Sequence, residues 1–164
     1  MTQKLPPLRF VRSVLRSFMA ESGLEPRLFG SHLRVTNAVA GKVDFDLDIA
    51  KDHTNRLKIV HGGTIASMVD LGGSLAVASM GLYATGVSTD LSVTYLNGGG
   101  KVGDKISATA VCDNIGKTLA YTSITFRNAN GDICARGSHT KSELLSVDPH
   151  VLPVQKKVLI SPDT

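Results

Sequence analysis

His61-Gly62-Gly63-Thr64-Ile65-Ala66-Ser67-Met68-Val69-Asp70-Leu71-Gly72-Gly73-Ser74-Leu75-Ala76-Val77-Ala78-Ser79 is the stretch to which the rest of the chain must be fitted. After its opening glycine pair it runs as a small and apolar segment, long enough for about five helical turns. Between Gly62 and Thr89 the only charged side chain is Asp70. A helix apolar on nearly every face belongs inside a protein. An acid within it is costly unless a partner satisfies it. Burial favours the protonated carboxyl, and a carboxylate tuned in this way is a candidate base or nucleophile. The alternative is a core helix whose acid is satisfied by a hydroxyl. The glycine pair has a chemistry of its own: the first N–H groups of a helix lack intrahelical partners and lie at its positive end. Without a Cβ, Gly62 or Gly63 lets another molecule approach that backbone and place a developing oxyanion there. Asp70 follows Gly62 by eight residues, about 12 Å along a helix axis. That is too far for both to act on one atom within one helix, so if both are catalytic each site takes Gly62 from one copy and Asp70 from another.

The totals narrow the class. A chain of 164 residues with 42% hydrophobic residues suits one globular domain. No apolar run reaches the ~18 residues of a membrane span without Gly, Ser or charge. Cys112 and Cys134, the only two cysteines, exclude a cysteine-rich zinc site and fit a reducing compartment. The histidines are scattered, with no pair at metal-ligand spacing, so no metal and no cofactor is expected. A net charge of +4 suits a phosphate-bearing ligand. With 5% aromatics and no basic stripe, nucleic acid is disfavoured.

Upstream, Phe10, Val11, Val14, Leu15 and Phe18 recur at helical spacing opposite Arg9, Arg12 and Arg16, with Pro7 at the start and Gly23 at the stop. Arg and Ser without acid before Glu21 is also the composition of a mitochondrial transit peptide, but a docked amphipathic helix accounts for the periodicity. Strands are expected at Leu33 to Val39 and at Lys42 to Ile49. In the second, Val43, Phe45, Leu47 and Ile49 alternate with Asp44, Asp46 and Asp48. The three acids read as a solvated sheet face rather than a calcium site, because no Gly-bearing ligand loop accompanies them. Four more strands follow the helix, at Val87 to Leu96, Lys105 to Asp113, Thr118 to Arg127 and Asp132 to Lys141, the last two joined by the hairpin signal Asn130-Gly131. The order predicts an α+β fold with an antiparallel sheet against the long helix. We divide the chain into an N-terminal helix (1–25), a main domain (26–143) and a proline-broken tail (144–164).

Five segments together carry a family resemblance: His53-Thr54-Asn55-Arg56-Leu57 with His61-Gly62-Gly63; Asp70; Gly86-Val87-Ser88-Thr89-Asp90-Leu91-Ser92-Val93-Thr94-Tyr95; Gly116-Lys117-Thr118-Leu119-Ala120-Tyr121; and Ala135-Arg136-Gly137-Ser138-His139-Thr140-Lys141. Over roughly residues 8 to 142 the chain resembles the hot dog fold thioesterases of the PaaI-like group, and within it the thioesterase superfamily member 2 type of acyl-CoA thioesterase. The resemblance implies a hot dog fold, in which a six-stranded antiparallel sheet wraps a long central helix. It implies a homodimer whose sheets join, two dimers forming a homotetramer, and acyl-CoA as substrate. Asp70 matches the family's base or nucleophile, Gly62 the glycine that polarises the thioester carbonyl, Asn55 the loop asparagine, and Ser88 the strand serine that assists the acid. Asn55 and Gly62 would come from one chain, Asp70 and Ser88 from the other.

The resemblance also implies substrate contacts at His61 and Gly63, with His61 shaping the turn, and CoA contacts at Lys117, Thr118, Arg136 and Lys141. Two departures stand out. Asn97-Gly98-Gly99-Gly100 replaces a Ser-Pro-Ala type loop, which predicts a looser segment there, and Lys58 stands where a small residue is common. The implied activity is hydrolysis of an acyl-CoA thioester, either through a water activated by Asp70 or through direct attack by Asp70. The rivals are a hot dog hydratase acting on an enoyl or hydroxyacyl thioester and a non-catalytic acyl-CoA-binding protein. Cytosol and mitochondrion are both compatible with the sequence.

Overall fold

The structure, a computed structural model, describes residues 5–142; the expected tail of residues 144–164 lies outside them. Helix α1 (Pro7–Glu21) is followed by a short helix α2 (Leu24–Leu28), strands β1 (Leu33–Val39) and β2 (Lys42–Asp48), the long helix α3 (Gly62–Ala78), and strands β3 (Val87–Tyr95), β4 (Lys105–Ile115), β5 (Leu119–Arg127) and β6 (Ile133–Ser142). Only α2 was not expected from the sequence. All neighbouring strands are antiparallel, in the order β1-β2-β4-β5-β6-β3.

Tight connections explain most of that order, since β1–β2, β4–β5 and β5–β6 are sequential neighbours. β3 is the exception. It leaves its sequence neighbour β4 and pairs with β6 at the far edge, because the chain reaches it only after α3 has crossed the sheet. α3 packs against β2, β3, β4, β5 and β6. It buries Met68, Val69, Leu71 and Leu75 with Val43, Phe45, Leu47, Ile106, Ile124 and Phe126 of the sheet. Each such side chain contributes roughly 1.5–3 kcal/mol on burial. α1 lays Val11 and Leu15 on the same core, and the Arg12 guanidinium donates to the Val35 carbonyl oxygen at 3.2 and 3.0 Å. The alternation of β2 is as expected. Its acids face away from the core, where Asp44 accepts from Thr109 and Asp48 from Arg34.

Small residues bring the helix close to the sheet. A Cβ at Gly72 would stand 2.9 Å from the Phe45 ring, one at Gly73 would overlap His139, and one at Gly137 of β6 would overlap Val69. Gly72 and Gly73 thus serve close packing. The Asn97–Gly100 loop also departs from the expected looseness. Gly99 is buried against Val60, Gly100 accepts from the Val60 N–H at 2.8 Å, and Lys101 bridges to Ile59. The run of glycines lets this loop lie directly on the segment that leads into α3 and fix it.

Gly137→Ala is expected to lower stability by about 1–3 kcal/mol through overpacking against Val69. Urea denaturation measures it; an unchanged midpoint would mean that α3 has room to shift.

Candidate active site

The helix start is built by its own sequence. His61 is the N-cap, and its Nδ1 accepts from the Gly63 N–H at 2.8 Å. The Gly62 N–H has no hydrogen-bond partner among the described residues and stands at the positive end of a 17-residue helix. The Tyr95 hydroxyl donates to the Gly62 carbonyl oxygen at 2.7 Å, and its ring lies 3.2–3.4 Å from where a Gly62 Cβ would be. Asn55 sits on a small hairpin tied to this start: its N–H donates to the Ile59 carbonyl oxygen, and the His61 N–H donates to that of His53. Asn55 Oδ1 accepts from Leu57 N–H at 2.9 Å, as an asparagine shaping its own loop does. Its Nδ2 is left free of protein partners among the described residues. Lys58, in the same hairpin, adopts φ 63°. That left-handed position is the physical reason a small residue suits the site.

His53 underlies the hairpin. Fully buried, it accepts from Ala50 N–H through Nδ1 at 2.9 Å and donates through Nε2 to the Leu28 carbonyl oxygen at 2.7 Å.

The second half of the site lies two turns along α3. Asp70 Oδ1 accepts from the Ser88 hydroxyl at 3.0 Å. A bulge in β3 makes this contact. Ser88 pairs with Lys141 and Asp90 with Thr140, leaving Thr89 as the extra residue. The bulge reverses the alternation, so that Ser88 shares the helix side of the sheet with Leu91, Val93 and Tyr95. His139 of β6 completes the group: its Nε2 is 2.8 Å from Ser88 Oγ and 3.3 Å from Asp70 Oδ1. The Ser88 proton goes to Asp70, so His139 must donate through Nε2–H. Its Nδ1 is buried with no partner. A neutral ring leaves only a lone pair there, whereas a protonated one would bury an unsatisfied N–H. Burial, and next the positive charge of Lys141, hold the His139 pKa below the ordinary value; the Asp70 charge and the nearby backbone of Asp70 and Val69 oppose them.

Two expectations are corrected here. Asp70 is not buried within one chain, its side chain being 41% exposed. Its surroundings are half-built, with Ser88 and His139 on one side and an open face on the other. Lys141 is not a surface contact for phosphate. It is 3% exposed, and its Nζ donates to Ser74 Oγ at 3.0 Å beneath α3. Strand alternation is the cause: His139 and Lys141 point toward the helix, while Arg136 points away and is exposed. Lys117 and Thr118 lie on the β4–β5 turn, exposed, at the end of the sheet where Ser88 pairs with Lys141; Arg136 pairs with Thr94 toward the other end. The structure thus joins Asp70 with Ser88, and Asn55 with the Gly62–Gly63 helix start, as two groups on one chain. His139 is the functional residue the sequence reading passed over. Its signal was a His and a Lys two apart on the inward positions of a strand otherwise lined by small or apolar residues.

A long helix wrapped by a six-stranded antiparallel sheet, here with an acid at mid-helix and an open Gly62 N–H at its start, is the hot dog architecture of α+β proteins. The thioesterase superfamily profile matches residues 57–135. A Schizosaccharomyces pombe protein described as an esterase is 42% identical over 134 residues, 82% of this chain and 83% of its own length. Human acyl-coenzyme A thioesterase 13 is 35% identical over 142 residues, 86% of this chain and 95% of its own. The crystal structure of zebrafish thioesterase superfamily member 2 superposes with a TM-score of 0.75 at 35% identity, covering 84% of this chain and 98% of that one. The chain belongs to the thioesterase superfamily.

The neutral state of His139 has a stability consequence. A histidine whose folded pKa is depressed binds its proton more readily when unfolded, so stability falls as pH drops below its unfolded value of about 6.5. Urea melts between pH 7.5 and 5 should show that loss, at up to about 1.4 kcal/mol per pH unit, and His139→Gln should lack this part of the slope. Parallel slopes in the two proteins would contradict a buried neutral imidazole.

Proposed function

We propose that this chain hydrolyses acyl-CoA thioesters to a free acid and CoA, in sites that each take Asn55 and Gly62 from one copy and Asp70 and Ser88 from another. The observation that carries the reading is the pairing of an Asp70 carboxylate, positioned by Ser88 and His139, with an unpartnered Gly62 N–H at a helix start in the same chain. The kinship with human acyl-coenzyme A thioesterase 13 supports the substrate class.

The chemistry follows from the groups. The Gly62 N–H and the free Asn55 Nδ2 hold the thioester oxygen and stabilise the charge that develops on it. Asp70, its Oδ1 engaged by Ser88, keeps Oδ2 for a water molecule. As that water adds to the carbonyl carbon, Asp70 takes its proton. Collapse of the tetrahedral intermediate breaks the C–S bond, and the proton passes to the leaving sulfur. Lys117, Thr118 and Arg136 are the exposed groups suited to the CoA portion, with Arg136 able to engage a phosphate in bidentate fashion.

The separation of about 12 Å between Gly62 and Asp70 requires the second copy. The exposed edge of β3 suits the junction: Val87, Leu91 and Tyr95 are exposed there, and a row of unpaired edge groups is a template for another strand. A partner seated on that edge would also cover the open face of Asp70. Two such dimers would form the tetramer.

Thiol release from short, medium, long and aryl acyl-CoAs, wild type beside Asp70→Asn, tests the activity and reads the acyl class. Asp70→Asn should lose about 100- to 10,000-fold in kcat with its fold intact. Wild-type turnover in the folded variant would remove Asp70 as the base; no release by the wild type from any acyl-CoA would defeat the thioesterase reading.

A further inference from the structure

Among the described residues, Lys141 is the one buried cation the proposed mechanism does not use. It stands directly across from Ser88 in the β3–β6 pairing and two residues from His139 on the same face of β6. Its Nζ donates to Ser74 Oγ, and that hydroxyl donates to the Asp70 carbonyl oxygen at 3.2 Å, one turn back on α3. Lys141 is therefore linked to the residue that carries the carboxylate by two hydrogen bonds. Ser74 anchors only one of its three ammonium protons. A cation held in so little water is expensive unless a nearby negative charge compensates it. Asp70 is the only charge on α3. On β6, His139 is the titratable group next to Lys141 on the inner face, while the buried Cys134 lies seven residues away toward the other end of the strand. Asp90 of β3 and Tyr121 of β5 both pair with Thr140, whose side chain points to the opposite face.

We propose that Lys141 is a positioning residue for thioester hydrolysis: anchored on Ser74, its buried ammonium keeps His139 as the neutral Nε2–H donor to Ser88, which in turn holds the Asp70 side chain in place. This rests on the thioesterase reading above. A cation close by disfavours the charged form of an imidazole, and Lys141 acts in that sense on His139. Burial lowers the pKa of Lys141 itself, and Asp70 counters that fall, as a compensating pair requires. Lys141 does not touch the substrate; it acts through Asp70 and His139.

The test is a pH–rate profile of kcat/KM for wild type, Lys141→Met and Lys141→Arg, joined to 15N NMR of the histidine rings. With the cation gone, His139 binds its proton at higher pH. The acidic limb of Lys141→Met should therefore move up by about one pH unit or more, with most of the rate regained at alkaline pH and KM little changed. Lys141→Arg, which keeps the charge, should return the limb toward the wild-type position. A loss of rate equal at every pH, with the limb unmoved, would mean that Lys141 is only structural and would overturn the proposal.

The NMR arm needs no turnover. In the wild type His139 should stay neutral, with its proton on Nε2, below the ordinary histidine value of 6.5. In Lys141→Met it should titrate closer to that value. Ordinary titration of His139 in the wild type, or identical titration in both proteins, would overturn the proposal even if Lys141→Met did not turn over. Absence of thiol release by the wild type would instead defeat the thioesterase reading, and the NMR result would still decide the role of Lys141 in the cluster.

Discussion

A single carboxylate on an apolar helix has to be satisfied, and much of the architecture answers that need. Asp70 takes its hydrogen bond from Ser88, and Ser88 reaches it only because β3 bulges at Thr89. β3 can present Ser88 only because it leaves β4 and lies beside β6, where His139 stands behind the serine. α3 can approach β6 closely enough for these bonds only because Gly73 and Gly137 carry no side chains at the crossing. Two glycines inside a helix cost about 1 kcal/mol each in propensity. The packing they permit, with Phe45 lying over Gly72 and the polar cluster beside Gly73, offsets that cost.

The other end of α3 works by leaving a group unsatisfied. His61 caps Gly63, Tyr95 holds the Gly62 carbonyl oxygen, and the Gly99–Gly100 backbone fixes Val60, yet the Gly62 N–H is left open. An unpaired donor held by rigid neighbours is preorganised for a developing negative charge, because the protein does not have to reorganise when that charge appears. Tyr95 links the two ends: it belongs to the same strand as Ser88, so one edge strand touches both the carboxylate and the open helix start at Gly62. Any partner chain that adds to that strand meets both.

Much of this was legible in the residues. The lone Asp70 between Gly62 and Thr89, the alternation of β2, and the order of two strands, a helix and four strands carried over into the fold. The bulge at Thr89 was not legible, because nothing in Val87 to Tyr95 marks where one residue slips out of register. The edge position of β3 was hidden for a related reason, since strand order depends on where α3 delivers the chain, which local pattern does not encode. His139 and Lys141 were misread because the identity of a charged residue says nothing about which side of a strand it faces. Lys141 looked like a surface phosphate contact and is a buried neighbour of Asp70. The exposure of Asp70 was also unexpected: an apolar helix promised burial, and one chain supplies only half of it.

The central claim is that each active site is assembled from two chains, and mixing two inactive variants tests it most directly. Asn55→Ala disables the carbonyl-holding half and Asp70→Asn the carboxylate half. Co-expressed under two tags and purified together, mixed dimers would contain one intact site and one doubly defective site. Selected through both tags, the mixed dimers should recover about half of wild-type acyl-CoA hydrolysis, and an unsorted statistical mixture about a quarter, from two nearly inactive parents. If the mixed dimers are as inactive as the parents while each protein is folded and associated, Asn55 and Asp70 serve the same site from within one chain, and the shared-site account is wrong.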